Sequence, residues 1–208
     1  MSRLLLASRN PGKLAELRRM LGAAGLDGVT VLGLTDVPWY TEPPETGTTF
    51  EENALIKAGA AASAVCLPAL ADDSGLAVDA LNGMPGVLSA RWSGRHGDDL
   101  ANLRLVLAQL ADVPDVRRCA EFVCAAALVL PDGRDRVVTA RWRGSLAKQP
   151  RGTGGFGYDP IFVPDGGIVT SAQLDPIEKD AASHRGQALR AILPALAELA
   201  GPTGGRCG

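Results

Sequence analysis

The order of apolar patterns in the first part of the chain indicates how its fold begins. Residues 4–7 form a short apolar run, which predicts a buried strand. Asn10 and Pro11 come next and are typical of an N-cap and a first helical residue, so a helix is predicted to follow. Residues 30–34 then predict a second strand. This alternation of strand, helix and strand favours an α/β architecture.

Capping residues predict where further helices start. Thr49 and Glu52 have the spacing of a capping box before an apolar helical face. Asp99 is expected to cap a third helix, because leucines and a valine recur behind it at helical spacing. Asp175, followed by proline, predicts a short fourth helix, and a fifth is expected to start near Ser183.

A hairpin in the second half of the chain completes the fold class. Residues 121–130 and 136–143 are rich in strand-forming residues, and a Pro-Asp-Gly turn separates them at 131–133. This pattern predicts an antiparallel pair. Because the hairpin adds to strands that alternate with helices, we predict an α/β fold with a mixed β-sheet and flanking helices.

Composition and charge exclude several classes of partner. The chain has 208 residues, 46% of them hydrophobic, which suffices for one substantial core. It carries 21 basic and 23 acidic residues and no basic run, so we expect no nucleic-acid partner. No stretch resembles a signal peptide or a membrane span, so we expect a cytoplasmic protein with no membrane partner. We predict one domain or one two-lobed unit over residues 1–200 and a disordered tail over 201–208.

Two adjacent carboxylates form the first candidate site. Asp72 and Asp73 end the apolar run at residues 66–71 and precede Ser74 and Gly75, which we interpret as a strand that opens into a turn. Two negative charges beside a buried segment destabilise the fold unless a cation meets them. Mg²⁺ bound to phosphates is the obvious candidate. The alternative is that one aspartate caps a turn while the other is solvated.

The loop at residues 8–13 is a candidate phosphate site. Lys13 falls in the first turn of the predicted helix, where the macrodipole disfavours a cation by ~0.3–1 kcal/mol unless an anion lies beside it. A helix start also offers free N–H groups, and Asn10 and Lys13 would add side-chain donors for a phosphate. The loop lacks the Walker A pattern, and a solvated Lys13 is the alternative.

A glycine-rich segment and a later helix start are candidates for recognising a base. The backbone at residues 152–160 can approach a ligand closely, and Phe156 can offer its ring face to a flat base. Asp159 can accept hydrogen bonds from base or ribose. The alternative is a β-turn with Phe156 in the core. His184 and Arg185 lie at a helix start, where we expect neither to be needed for burial, and they suit carbonyl or phosphate oxygens.

Taken together, the motifs resemble the inosine triphosphate pyrophosphatase family, the Ham1-like nucleotide hydrolases. Six ordered segments carry the resemblance across nearly the whole chain, at residues 8–13, 45–54, 71–76, 89–91, 152–159 and 183–189. The resemblance implies an elongated mixed sheet with flanking helices and two lobes around a central cleft. It also implies a homodimer.

The resemblance implies a role for each matched residue. It implies that Glu45 and Asp73 bind the metal. It also implies that Asp73 is the catalytic carboxylate and that Asp72 is a supporting carboxylate. Glu42 is the alternative to Glu45, because residues 39–44 are an insertion relative to the family pattern. The residues implied for substrate binding are Ser8, Arg9, Asn10, Pro11, Gly12, Lys13, Lys57, Ser74, Phe156, Gly157, Tyr158, Asp159, Lys179, His184 and Arg185.

These residues divide by the part of the substrate that they are expected to meet. The loop after the first strand and Lys57 would bind the triphosphate, and the segment around Phe156 would stack on the base. Lys179, His184 and Arg185 would read the carbonyl at position six of the purine.

The activity implied by the resemblance is Mg²⁺-dependent hydrolysis of inosine, deoxyinosine or xanthosine triphosphate to the monophosphate and pyrophosphate. Water is the expected nucleophile, and no covalent intermediate is required. One alternative is a non-catalytic nucleotide-binding regulator, which would have no need of Glu45 and Asp73. Another is a Maf-like pyrophosphatase that acts on other bases, which the Ser183-His184-Arg185 segment disfavours.

Overall fold

The computed structural model describes residues 2–200, so the tail predicted at 201–208 lies outside the described residues. The strands are β1 (Ser2–Leu6), β2 (Val29–Leu32), β3 (Ala69–Val78), β4 (Cys119–Val129), β5 (Asp135–Leu146) and β6 (Phe162–Pro164). The α-helices are α1 (Pro11–Ala23), α2 (Phe50–Val65), α3 (Asp99–Gln109), α4 (Pro176–Ala182) and α5 (His184–Ala200). None of these helices combines the length and apolar character that crossing a membrane requires.

The strands of the described chain form a six-stranded sheet in the order β2-β1-β3-β4-β5-β6. Strand β1 pairs in parallel with β2 and with β3, placing Leu4 opposite Val31 and Leu5 opposite Ala69. Strand β5 pairs antiparallel with β6. A tight turn joins β4 to β5, and in it Leu130 N donates to Arg134 O. The sheet is therefore mixed, which confirms the predicted fold class and the predicted hairpin.

The chain divides into two compact units, and β3, β4 and β5 each contribute residues to both. The first unit contains the residues up to Asp73, Ala125–Thr139 and the residues from Ala188 onward. The second contains Ser74–Cys124 and Ala140–Gln187. In the second unit aliphatic and aromatic side chains pack together in the core, where the ring centroids of Phe122 and Phe162 lie 4.5 Å apart.

The predicted helix caps at Asn10, Thr49 and Asp175 are confirmed. Asn10 Oδ1 accepts from Gly12 N at 2.8 Å, and Thr49 Oγ1 accepts from Glu52 N at 3.1 Å. Asp175 Oδ1 accepts from the second residue of α4. Each side chain thereby pairs a backbone N–H that the first turn of its helix leaves without an intrahelical acceptor.

Two local predictions are wrong. Helix α3 is capped by Asp98, whose Oδ1 accepts from Ala101 N, so Asp99 is its first residue and not its cap. Strand β3 does not turn at Ser74 and Gly75 but continues to Val78. Gly75 is needed there because a Cβ at this position would overlap Ser89 Oγ, so the glycine marks a close approach inside a strand.

Candidate functional site

A lysine of α2 lies between two carboxylates in the first unit. Lys57 Nζ is 2.9 Å from Glu45 Oε1 and 3.1 Å from Asp73 Oδ1. The exposed fractions of the Lys57, Glu45 and Asp73 side chains are 20%, 25% and 11%, so water screens their charges less than it screens surface ions. The structure thus brings together three residues that the family resemblance singles out.

Asn53, which lies one helical turn before Lys57 on α2, orients the Asp73 side chain. Its Nδ2 donates to Asp73 Oδ2 at 3.1 Å, and its Oδ1 accepts from Gly47 N at 2.8 Å. The residue is fully buried. Sequence reasoning gave Asn53 no role, although a polar residue on the apolar face of α2 is a signal that could have found it. Asn53 and Lys57 project from the same face because they are four residues apart.

In the cluster of Lys57, Glu45 and Asp73, burial and the neighbouring charges both shift pKa values. Burial raises the pKa of the Asp73 carboxyl, and the charge of Glu45 raises it further, while Lys57 and Asn53 offset part of the rise. Burial also lowers the pKa of the Lys57 ammonium, but the two carboxylates outweigh it and hold that pKa above its ordinary value. Asp73 therefore binds a proton more readily than an exposed aspartate does.

The two carboxylates suit the Mg²⁺ that the family resemblance implies. Glu45 and Asp73 both direct an oxygen to one cationic atom, Lys57 Nζ, and carboxylate oxygens are the ligands that Mg²⁺ prefers. Among residues 2–200, no three or more His, Cys, Asp or Glu side chains are grouped for metal binding. Glu45 and Asp73 are therefore the two carboxylates that would hold such an ion.

Asp72 pairs with Lys13, while its neighbour Asp73 pairs with Lys57. Lys13 Nζ lies 2.5 Å from Asp72 Oδ2, and the Asp72 side chain is only 2% exposed. The partners differ because adjacent residues of a strand point to opposite faces. The alternatives of a solvated aspartate and a solvated Lys13 are therefore wrong. Asp72 supplies negative charge that offsets the unfavourable position of Lys13 in the helix dipole.

Hydrogen bonds with its own side chains order the loop at residues 8–13. Ser8 Oγ accepts from Asn10 N at 3.2 Å, while Asn10 in turn caps α1 at Gly12 N. Arg9 Nε donates to Glu42 Oε1 at 2.7 Å, and the Arg9 side chain is 80% exposed. Of the two candidate metal ligands, Glu42 thus pairs with Arg9, whereas Glu45 joins Asp73.

An exposed aromatic ring lies beside an ion pair in the second unit. Phe156 is 63% exposed, so the alternative that buries it in the core is wrong. Lys179 Nζ lies 5.5 Å from the ring centroid and donates to Asp159 Oδ2. Ser171 Oγ donates to Asp159 Oδ1 at 2.7 Å. Both oxygens of Asp159 accept from protein donors, and through Oδ2 this carboxylate positions Lys179 in the structure.

Tyr158 supports this segment from inside the unit. Its hydroxyl donates to Ser89 O at 2.9 Å, and only 4% of the residue is exposed. Burial raises the pKa of the phenol, and the charge of Asp99 adds to the rise. The glycine-rich segment therefore presents Phe156 outward and anchors Tyr158 inward.

His184 and Arg185 are packed into the second unit, which corrects the expectation that neither is needed for burial. The His184 ring stacks on Phe122 with centroids 4.8 Å apart, and Arg185 is 8% exposed. The reason is that Ser183, the cap whose Oγ accepts from Gly186 N, is itself buried, so α5 starts inside the unit. Burial lowers the pKa of Arg185 to about 10, which leaves it charged at neutral pH.

Comparison with known proteins identifies the family of this chain. The model of the Ham1 family matches residues 4–195. The chain belongs to the Ham1 family. A dITP/XTP pyrophosphatase of Nocardia farcinica is 68% identical to this Ham1-family chain over 203 residues, which is 98% of both proteins.

Solved structures of the family match the fold. A crystal structure from Mycobacterium abscessus, described as a nucleoside-triphosphatase / dITP/XTP pyrophosphatase, is 64% identical, with a TM-score of 0.80 over 93% of this chain and 99% of that one. A HAM1 protein from Coxiella burnetii is 44% identical, with a TM-score of 0.86 over 95% of this chain and 100% of that one.

Proposed function

We propose that this chain hydrolyses non-standard purine nucleoside triphosphates, namely those of inosine, deoxyinosine and xanthosine, to the monophosphate and pyrophosphate. The observation that carries the proposal is the convergence of Glu45 and Asp73 on Lys57 in a member of the Ham1 family. Support also comes from relatives named dITP/XTP pyrophosphatase, which are 57% to 68% identical to this chain.

Asp73 is the expected general base. Its carboxylate would orient a water molecule and take its proton while the water oxygen bonds to the α-phosphorus. The bond from that phosphorus to the oxygen bridging to the β-phosphate breaks, and pyrophosphate leaves with this oxygen. The raised pKa of Asp73 makes its carboxylate a better proton acceptor than that of an exposed aspartate. Lys57 and Lys13 would offset negative charge on the phosphates.

We also propose that Glu45 and Asp73 hold Mg²⁺ during turnover. When bound, the ion would neutralise phosphate charge and make pyrophosphate a better leaving group. Pyrophosphate release should then stop with EDTA and return with MgCl₂. Undiminished turnover in EDTA would contradict this part of the proposal.

Base recognition is assigned to the second unit. Phe156 offers an exposed ring for stacking, and Lys179 and Arg185 are hydrogen-bond donors that a carbonyl at position six can satisfy. Adenine has an amino group at that position and would leave such donors unpaired. The expected preference is therefore for inosine and xanthosine triphosphates over adenosine triphosphate.

One assay tests the proposed function. Pyrophosphate release is measured with Mg²⁺ across inosine, deoxyinosine, xanthosine, adenosine, guanosine and uridine triphosphates. We expect kcat/KM for the first three to exceed the others by at least ~10²-fold. Equal rates on all six would indicate a general triphosphatase, and binding without hydrolysis would indicate a regulator.

The homodimer and the cytoplasmic location that we predict from sequence remain proposals. Light scattering of the purified chain at micromolar concentration tests the first, with a mass of twice 21.5 kDa expected. Fractionation of cells that express the protein tests the second.

A further inference from the structure

Two carboxylates hold consecutive backbone N–H groups beside the exposed Phe156 ring. Phe156 N donates to Asp159 Oδ2 at 2.8 Å, and Gly157 N donates to Asp99 Oδ2 at 2.8 Å. Asp159 is the carboxylate that binds Lys179, whereas Asp99 is not one of the residues that the family resemblance singles out. Asp159 lies 3 residues after Phe156, whereas Asp99 lies 58 residues before Gly157.

The segment needs such support because its backbone is permissive. Gly155 and Gly157 flank the ring with φ angles of +73° and +60°, a region that glycine enters freely. A ring that is 63% exposed gains little from packing that would fix its direction. The hydrogen bonds at Phe156 N and Gly157 N therefore hold the backbone from which the Phe156 ring projects.

Asp99 is available for this task because its neighbour caps the helix. Asp98 Oδ1 accepts from Ala101 N at 3.1 Å, so α3 does not use Asp99 as its cap. A negative charge in the first helical turn is also favoured by the helix dipole. The effect of Asp99 on the pKa of Tyr158 agrees with its place beside this segment. Asp99 thus extends from the first turn of a helix that has its own cap.

We propose that Asp99 is a positioning residue: it holds the backbone at Gly157 so that the Phe156 ring is presented to the purine base. The benefit to substrate binding rests on the proposed function, since it assumes that Phe156 stacks on a base. The hydrogen bond itself does not depend on any substrate.

The hydrogen-bonding part is tested without a nucleotide. Amide hydrogen exchange of Gly157 is compared in the unmodified protein, Asp99→Ala, Asp99→Asn and Asp98→Asn. The alanine variant should lose protection by at least ~10-fold. Asp99→Asn should keep most of it because the amide oxygen still accepts. Asp98→Asn is the matched control, since it removes a neighbouring charge and keeps a good cap. Unchanged exchange in Asp99→Ala would overturn the proposal.

The positioning part is tested by kinetics with inosine triphosphate. Asp99→Ala should raise KM roughly 3–10-fold, the scale of one aromatic stacking contact, and change kcat by less than about twofold. Inorganic triphosphate, which has no base, should inhibit this variant and the unmodified protein equally. In a Phe156→Ala background, the same substitution should have no further effect on KM. Asp99→Asn should behave like the unmodified protein.

Several outcomes would contradict positioning. Weaker inhibition by inorganic triphosphate in Asp99→Ala would indicate a general disturbance of the enzyme. A full additional rise in KM on the Phe156→Ala background would show that Asp99 does not act through the ring. If the unmodified protein releases no pyrophosphate from any nucleotide, the proposed function fails, and the exchange experiment still decides whether Asp99 holds Gly157.

Discussion

Asp73 holds a negative charge in surroundings that disfavour one. It is 9% exposed, and burial together with Glu45 raises the pKa of its carboxyl above the ordinary value. Lys57 and Asn53 keep the carboxylate in place through one hydrogen bond to each oxygen. A buried group with a raised pKa and fixed direction is what general-base catalysis requires.

Asp73→Asn tests this assignment at the level of one residue. The amide keeps the shape of the side chain but cannot accept the proton of the attacking water. We expect kcat with inosine triphosphate to fall by at least ~10²-fold, with a native circular dichroism spectrum. Asp115→Asn, which alters an exposed ion pair with Lys148, is the control and should keep its turnover. Near-normal turnover of the Asp73 variant at saturating Mg²⁺ would remove Asp73 from the chemistry.

Arg185 tests the base-reading part of the proposal. Arg185→Ala should lower kcat/KM for inosine triphosphate by about 10²-fold or more, because a donor aimed at the carbonyl is lost, and change adenosine triphosphate much less. Arg185→Lys preserves the charge in this buried position. It should therefore reduce the ratio of kcat/KM for inosine triphosphate to kcat/KM for adenosine triphosphate less than Arg185→Ala does. A constant ratio while both rates drop would show that Arg185 supports the helix or a phosphate instead.

At the scale of elements, helix α2 positions residues that contact Glu45 and Asp73. It carries Asn53 and Lys57 one turn apart and begins at the Thr49 cap. Glu52 adds to this start, since its carboxylate accepts from Thr48 N and Thr48 Oγ1, which holds its pKa below the ordinary value. The hydrogen bonds that order the first turn of α2 therefore help to position Asn53 and Lys57.

Thr49→Ala should lower the free energy of unfolding by about 0.5–2 kcal/mol, because Glu52 N loses its acceptor. Thr49→Ser keeps a hydroxyl at the same place and should restore most of the loss. Urea unfolding followed by circular dichroism measures both variants. Equal stability of the alanine and serine variants would show that the cap hydrogen bond contributes nothing.

At the scale of the whole molecule, buried ion pairs recur in both units. Lys13 with Asp72 and the Lys57 cluster belong to the first unit, and Lys179 with Asp159 belongs to the second. Stability should therefore depend on pH wherever one of these groups binds its proton differently in the folded and unfolded states.

The Asp73 carboxyl gives this dependence a definite sign. Its pKa is raised in the folded protein, so the folded state binds the proton more tightly than the unfolded state does. The stability contributed by this group is present below the ordinary carboxyl pKa and lost as pH rises through the raised value. Lys57, whose pKa is also raised, stays protonated over this range.

Thermal melts in EDTA between pH 4 and pH 8 measure the effect. The melting temperature of Asp73→Asn should rise relative to that of the unmodified protein as pH increases, and the difference should level off once Asp73 is ionised. A difference that does not change with pH would contradict the raised pKa.

The sequence by itself determined the features that rest on local physics. Caps at Asn10, Thr49 and Asp175 were readable because a side-chain acceptor next to a helix start acts within a few residues. The hairpin was readable from its turn, and the mixed sheet from the order of the patterns. The motifs that resemble the family also single out Glu45, Asp73 and Lys57, which the structure brings together.

Only the tertiary structure decided which partners those residues meet. Nothing local distinguishes Glu42 from Glu45, or indicates that β3 continues through Gly75, where Ser89 leaves no room for a Cβ. Arg117 and Arg118 are neighbours, yet Arg118 is the one that is buried, where it donates to the carbonyls of Leu110, Leu146 and Ala147. Such contacts join residues far apart in the chain, and their energy exists only after folding has placed those residues side by side.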